Sequence, residues 1–203
     1  TFGSDIFLLI YLKIFYNVLI QYLHEIYKEF KGKIKFNILD IGARPLDNEQ
    51  ELFHKIIEFF PESKISAFEP DNELCKKLNK NSIPGLIYYP IALGKKKETR
   101  KFYRTEHPAC SSLYEPNDKL IKNFNNLESV QLEKVEEIQT ISLDEFIKNK
   151  NLGKIDFIKI DVQGAELDIF KGAKECLNNV IFLISEVEFI ELYKNQPLFG
   201  EIC

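Results

Sequence analysis

From residue 35 onward, short apolar runs alternate with segments of helical period, the pattern of a βαβ chain built around a parallel sheet. Residues 36–41 form the first run and predict a strand ending at Gly42. Leu52, Phe53, Ile56, Ile57 and Phe60 then recur at helical spacing until Pro61 stops the helix. Residues 64–68 predict a second strand, closed by Glu69-Pro70-Asp71, with Asp71 capping a helix that buries Leu74 and Leu78. A third strand is expected over residues 86–91.

The alternation then changes character. Residues 98–104 and 130–140 read as β segments around an irregular stretch at 105–129 that is rich in Asn, Pro and Ser. An irregular insertion, here about 95–140, is where an α/β domain usually carries its substrate-side parts. Regularity returns at Ser142, where Ser-x-x-Glu signs a capping box for a short helix. A strand over 155–160, one helix over 162–177 with Leu167, Phe170, Ala173 and Leu177 inward, and a strand over 180–184 complete the series. The expected organisation is an N-terminal helical extension, 1–33, followed by one domain, 34–203.

Within that extension, residues 6–23 are dense in Leu, Ile, Phe and Tyr. Lys13, Asn17, Gln21, Glu25 and Lys28 nevertheless stack into one polar stripe on a helix. A helix packed on its own domain or against a second copy fits this pattern. Membrane contact through 6–23 is the alternative, opposed by the cost of polar groups in lipid.

Composition narrows the function classes. A formal net charge of -4 over 203 residues lacks the basic face that phosphate neutralisation needs, so no nucleic-acid partner is expected. The four cysteines stand far apart without a CxxC pair, which fits a reducing, cytoplasmic setting better than zinc or disulfides.

Candidate chemistry lies at the strand ends, because ligands of open α/β sheets bind beyond the carboxyl ends of the strands. Asp40-Ile41-Gly42-Ala43 makes a sharp turn in which Gly42 admits a close backbone approach. Arg44-Pro45-Leu46 replaces the later glycines that a dinucleotide pyrophosphate requires. A nicotinamide oxidoreductase is thereby disfavoured. Glu69 ends the next strand, where an acid commonly accepts both ribose hydroxyls of an adenosyl group. Asp161 ends a later strand and opens Asp161-Val162-Gln163-Gly164-Ala165-Glu166. It is placed to hold an ammonium group, to bind a metal, or to take a proton from an acceptor hydroxyl. Glu166 reads as a substrate contact or as a partner of the helix dipole. His107, Ser111 and Ser112 in the insertion, and Glu186 after the last strand, are candidate acceptor-side contacts, with His107 also a candidate base. No dedicated metal site is expected.

Residues 155–166, followed by Lys171-Gly172-Ala173, resemble the hallmark of the FkbM family of methyltransferases. Asp40-Ile41-Gly42-Ala43, Ser142-Leu143-Asp144-Glu145-Phe146 and Glu186-Val187-Glu188-Phe189 with Tyr193 match in order and spacing. The resemblance implies a Rossmann-like class I methyltransferase sheet with helices on both faces, in which either the last strands, expected after Leu198-Phe199, are missing or the sheet edge is completed otherwise. It implies S-adenosylmethionine as methyl donor and a hydroxyl on a sugar, glycolipid or secondary metabolite as acceptor. By position, Asp40, Gly42, Ala43, Glu69, Pro70, Ala92 and Asp161 would line the cofactor. A catalytically silent binding or scaffold domain on the same sheet is the competing class, separable by whether S-adenosylmethionine binds.

Overall fold

The structure is a computed structural model that describes residues 25, 28–30, 32–46, 53–125 and 127–203. The apolar stripe at 6–23, with the oligomer and membrane readings attached to it, lies outside them. Among the described residues no helix is long and apolar enough to cross a membrane.

Five strands form a parallel sheet: β1 (Asn37–Ile41), β2 (Lys64–Phe68), β3 (Leu86–Tyr89), β7 (Phe157–Ile160) and β8 (Phe182–Ser185), in the order β3-β2-β1-β7-β8. Two-residue periodicity decides which side chains reach which face. From β1, Leu39 and Ile41 join Phe68, Ile158 and Ile160 beneath α4 (Leu143–Lys150), α5 (Glu166–Lys171) and α6 (Lys174–Leu177). Ile38, Ile65 and Ala67 face the other way, onto Phe53, Ile57 and Cys75 of α1 (His54–Phe59), α2 (Asn72–Lys80) and the residue before α1. Helices thus cover both faces, as strand runs this apolar require. The outer strand β8 leaves Phe182 49% exposed.

The expected third strand, 86–91, divides. Pro90 has no N–H for the ladder, so β3 stops at Tyr89 and the Ile91 N–H turns back to the Tyr89 carbonyl at 2.8 Å. Just beyond, β4 (Ala92–Leu93) leaves the main sheet and pairs with β6 (Leu132–Ile141). Strand β5 (Glu98–Thr105) runs antiparallel to β6, giving a second sheet ordered β4-β6-β5. The β segments expected at 98–104 and 130–140 within the irregular insertion 95–140 are thus the two strands of a hairpin. Among the described residues, the stretch between them holds two 3-10 turns and α3 (Asp118–Ile121). Arg100 ties the hairpin down, donating from Nη1 to Asp168 Oδ2 of α5 at 3.1 Å.

The single helix expected over 162–177 is also corrected. Residues 162–165 form a loop in which Gln163 (φ 59°) and Gly164 (φ 94°) are left-handed, so no helix can run through them. The helix then breaks at Gly172, where an added Cβ would lie 2.4 Å from the Gly94 carbonyl oxygen. Inward-facing Ile169 is fully buried, whereas Leu167, Phe170 and Leu177 are half-buried.

Both predicted N-caps form, the box at Ser142 through its serine half. The Asp71 side chain accepts from the Leu74 N–H at 3.0 Å and that of Ser142 from the Glu145 N–H at 3.3 Å. Ser142→Ala should lower stability by about 1 kcal/mol. A urea midpoint unchanged from wild type would show that the α4 cap is idle.

Candidate active site

Strand order reverses between β1 and β7, and the turns that follow these two strands touch. A Cβ at Gly42 (φ 82°) would stand 1.7 Å from the carbonyl oxygen of Asp161. This is the switch point of the sheet, where crevices open in α/β folds. A cavity of about 490 Å³ lies there, between the carboxyl ends of β1, β2 and β7 and the hairpin. That volume falls within the roughly 300–1,000 Å³ of small-molecule sites.

The cavity wall includes Gly42, Arg44, Glu69, Pro70 and Ala92. Glu69 is 5% exposed and its Oε1 accepts from the Asp71 N–H at 2.8 Å and from Arg44 Nη2 at 3.3 Å. Arg44 also donates to Asp71 Oδ2 at 3.1 Å. The Leu74 N–H first, and Arg44 second, hold the Asp71 carboxyl below its ordinary value. Arg44, which replaces a turn glycine, therefore fixes two acids at the end of β2.

Asp161, Gln163 and Glu186 line the same cavity, as do Arg104, His107, Cys110 and Ser111 of the hairpin side. Gln163 Nε2 donates to Asp161 Oδ1 at 2.8 Å and to Glu186 Oε2 at 2.9 Å. The Tyr193 hydroxyl, fully buried, donates to the Cys110 carbonyl at 2.6 Å and lies 3.2 Å from Gln163 Oε1. Ser112 Oγ donates to the Gln163 carbonyl at 2.6 Å. Burial first, then the charge of Asp161, push the Glu186 carboxyl up to about 8, although the residue stays exposed at the rim. The same two causes raise Glu188.

Eight of the residues singled out from the sequence meet on this wall: Gly42, Glu69, Pro70, Ala92, His107, Ser111, Asp161 and Glu186. Four do not. Ala43 and Ser112 are buried behind it. Glu166, 1% exposed, turns its Oε1 back to accept from the N–H groups of Val162 (3.0 Å) and Gly164 (3.2 Å), which folds the turn bearing Asp161. Asp40 is fully buried on the α1 face. Its Oδ1 stands 3.7 Å from Lys159 Nζ and its Oδ2 3.6 Å from His54 Nε2. The parallel register aligns Asp40 with Lys159, so an acid expected at the ligand instead neighbours the lysine beneath Asp161.

Arg104, Cys110, Lys159 and Gln163 also line the cavity without having been singled out as site residues. A signal existed for two of them. Arg104 follows Phe102 at strand period, and Lys159 precedes Asp161 by the same interval.

Residues 33–203 match the Methyltransferase FkbM domain family. The 2-O-methyltransferase NoeI of Sinorhizobium fredii is 26% identical over 164 residues, 78% of this chain and 66% of that protein. The hexuronic acid methyltransferase AglP of Haloferax volcanii is 28% identical over 127 residues, 62% of this chain and 47% of that protein. The chain thus matches less than two thirds of the length of either relative. The crystal structure of Methyltransferase FkbM from Methylobacillus flagellatus KT overlaps 72% of this chain and 32% of that one, with 15% identity and a TM-score of 0.38. The fold class rests on the strand order above rather than on that overlap.

Proposed function

The chain belongs to the FkbM methyltransferase domain family, and from that premise we propose that it moves a methyl group from S-adenosylmethionine to a hydroxyl of a sugar or related metabolite. The observation that carries this reading is a single cavity at the switch point whose wall brings together Glu69, held by Arg44, and the cluster of Asp161, Gln163 and Glu186. Buried Glu69, with Pro70 and Ala92 on the same wall, offers a carboxylate to a ribose diol and an apolar slot to a purine. The turn at Gly42 leaves no pyrophosphate cradle, which suits a nucleoside without phosphates.

When bound, the donor supplies an electrophilic methyl on a sulfonium. The chain's own part is to bind, align and exclude water. Glu69, fixed by Arg44 and the Asp71 N–H, sets the adenosyl end. Asp161 is the acid within reach of an ammonium group near the switch point. The acceptor lies toward His107, Ser111 and Glu186, so that its oxygen meets the methyl in line. The names of NoeI and AglP, a 2-O-methyltransferase and a hexuronic acid methyltransferase, favour a carbohydrate hydroxyl.

Calorimetry with S-adenosylhomocysteine tests the reading. Wild type should bind, and Glu69→Ala should weaken binding by roughly 10- to 100-fold, the worth of about 1.5–3 kcal/mol in hydrogen bonds to a charged group. An affinity unchanged in Glu69→Ala would remove Glu69 from the ribose site, and no binding by wild type would sink the enzymatic reading.

A further inference from the structure

A methyl transfer to an alcohol leaves one proton to be placed. The new C–O bond forms from an oxygen lone pair as the S–C bond breaks with its electrons to sulfur. The hydroxyl proton must then pass to a group of the protein or to solvent. Resting on the O-methyltransferase reading, we propose that Glu186 is the catalytic base that receives this proton, with Gln163 as the positioning residue that holds it against Asp161.

Three observations single out Glu186 among the cavity's acids. Glu69 is already committed, its Oε1 shared by Arg44 and the Asp71 N–H at the adenosyl end. Asp161 already has a cation beside it, the Lys159 ammonium 3.9 Å from its Oδ2. Among the described residues no cation lies within ion-pair reach of Glu186, so it is the member of the pair that gains from a proton. Once Glu186 carries that proton, only one negative charge remains between the two carboxyls.

Gln163 makes the arrangement specific. Its amide spends both Nε2 hydrogens on the two carboxyls, one each, while Oε1 turns toward the Tyr193 hydroxyl. Its backbone is pinned from the hairpin side by Ser112 Oγ. The left-handed conformation that aims it so is costly for a residue with a Cβ. Bonding both carboxyls from one amide nitrogen keeps Glu186 beside Asp161, with Oε2 as the oxygen it engages. The rim position then lets the proton escape to water after transfer.

The charges around Glu186 agree in sign. Asp161 on the β7 turn, Glu166 on α5 and Glu188 on its own segment all favour the protonated state. Arg104, His107 and Lys159 line the same cavity. The balance, burial included, is the raised carboxyl described above, whose affinity for a proton suits a base working near neutrality.

The test uses the whole chain, labelled S-adenosylmethionine, and methyl glucuronide and methyl glucoside as probe acceptors. Wild-type kcat should rise with pH through a limb near 8. Glu186→Gln should lose on the order of 100-fold or more in kcat and the limb with it. Its Kd for S-adenosylhomocysteine should stay within about threefold, and Glu186→Asp should recover part of the rate. Asp161→Asn should move the limb to lower pH by removing the like charge. A Glu186→Gln enzyme that keeps its rate or its limb overturns the proposal. So does wild-type activity that a chelator abolishes and magnesium restores, since the pair would then be metal ligands. If wild type binds S-adenosylhomocysteine but methylates neither glycoside, the carbohydrate reading fails by itself. Carbon-13 titration of the Glu186 carboxyl then decides, and an ordinary carboxylate value overturns the base.

Discussion

Gly42→Ala should leave almost no soluble protein, and whatever folds should not bind S-adenosylhomocysteine. Two costs add at this position. Its φ of 82° puts an L side chain in the left-handed region, worth about 1–2 kcal/mol. The larger cost is contact: the new Cβ would fall 1.7 Å from the Asp161 carbonyl oxygen, and that atom belongs to the backbone of the neighbouring turn. Relief requires β1 and β7 to part where they pair from Ile38–Phe157 to Ile41–Ile160. A loss on the order of 4 kcal/mol or more is expected, the range reserved for substitutions that break a core arrangement. For a chain of this length that lowers Tm by roughly 8–16 °C. Thermal melting by circular dichroism checks it, and a Tm within 2 °C or so of wild type would show that the two turns can separate freely.

The same glycine marks how far the sequence could be read. The Asp-x-Gly turn is visible as letters because only a residue without Cβ suits so sharp a strand exit. A ligand was the expected close neighbour, yet the nearest atom is a carbonyl of the chain 119 positions later. Contacts across that separation depend on strand order, and no local period encodes strand order. Asp40 went astray for a related reason. Being at a strand end is legible, but which face the side chain takes depends on the register that sets it opposite Lys159.

The strand at 64–68 was legible to the residue, since Ile65, Ala67 and Phe68 are buried and Glu69-Pro70-Asp71 closes the run. The hairpin at 98–141 was half-legible. Each strand has its alternation, but the departure of Ala92–Leu93 from the main sheet follows from the single ladder donor lost at Pro90. At the site, acids and glycines carried the signal, and Gln163 did not. A glutamine after a strand is ordinary in composition. Its role emerges only from a left-handed backbone and three partners drawn from distant segments.

Glu166→Ala should rank next in cost, and it separates two readings of one residue. As a surface partner of the helix dipole, Glu166 would be worth roughly 0.3–1 kcal/mol. The structure instead buries it, with Oε1 accepting from the N–H groups of Val162 and Gly164. Alanine leaves both donors without an acceptor at about 1–3 kcal/mol each, a sum on the order of 2–6 kcal/mol. The turn that presents Asp161 and Gln163 would loosen with them, so S-adenosylhomocysteine binding should weaken as well. Glu166→Gln keeps a carbonyl acceptor and should lose far less. Its stability relative to wild type should also depend on pH. Burial, the largest cause, raises the Glu166 carboxyl above its ordinary value of 4.5, so the folded state holds the proton more tightly than the unfolded. Wild-type stability from this group is complete below that value and declines as pH rises toward the folded one. Glutamine does not titrate, so the difference should move in its favour over the same interval. Urea unfolding of the three proteins at pH 4.5 and pH 7 reads both effects. A Glu166→Ala loss below 1 kcal/mol, with no pH trend in Glu166→Gln, would return the residue to the helix dipole and leave the turn to be held by other contacts.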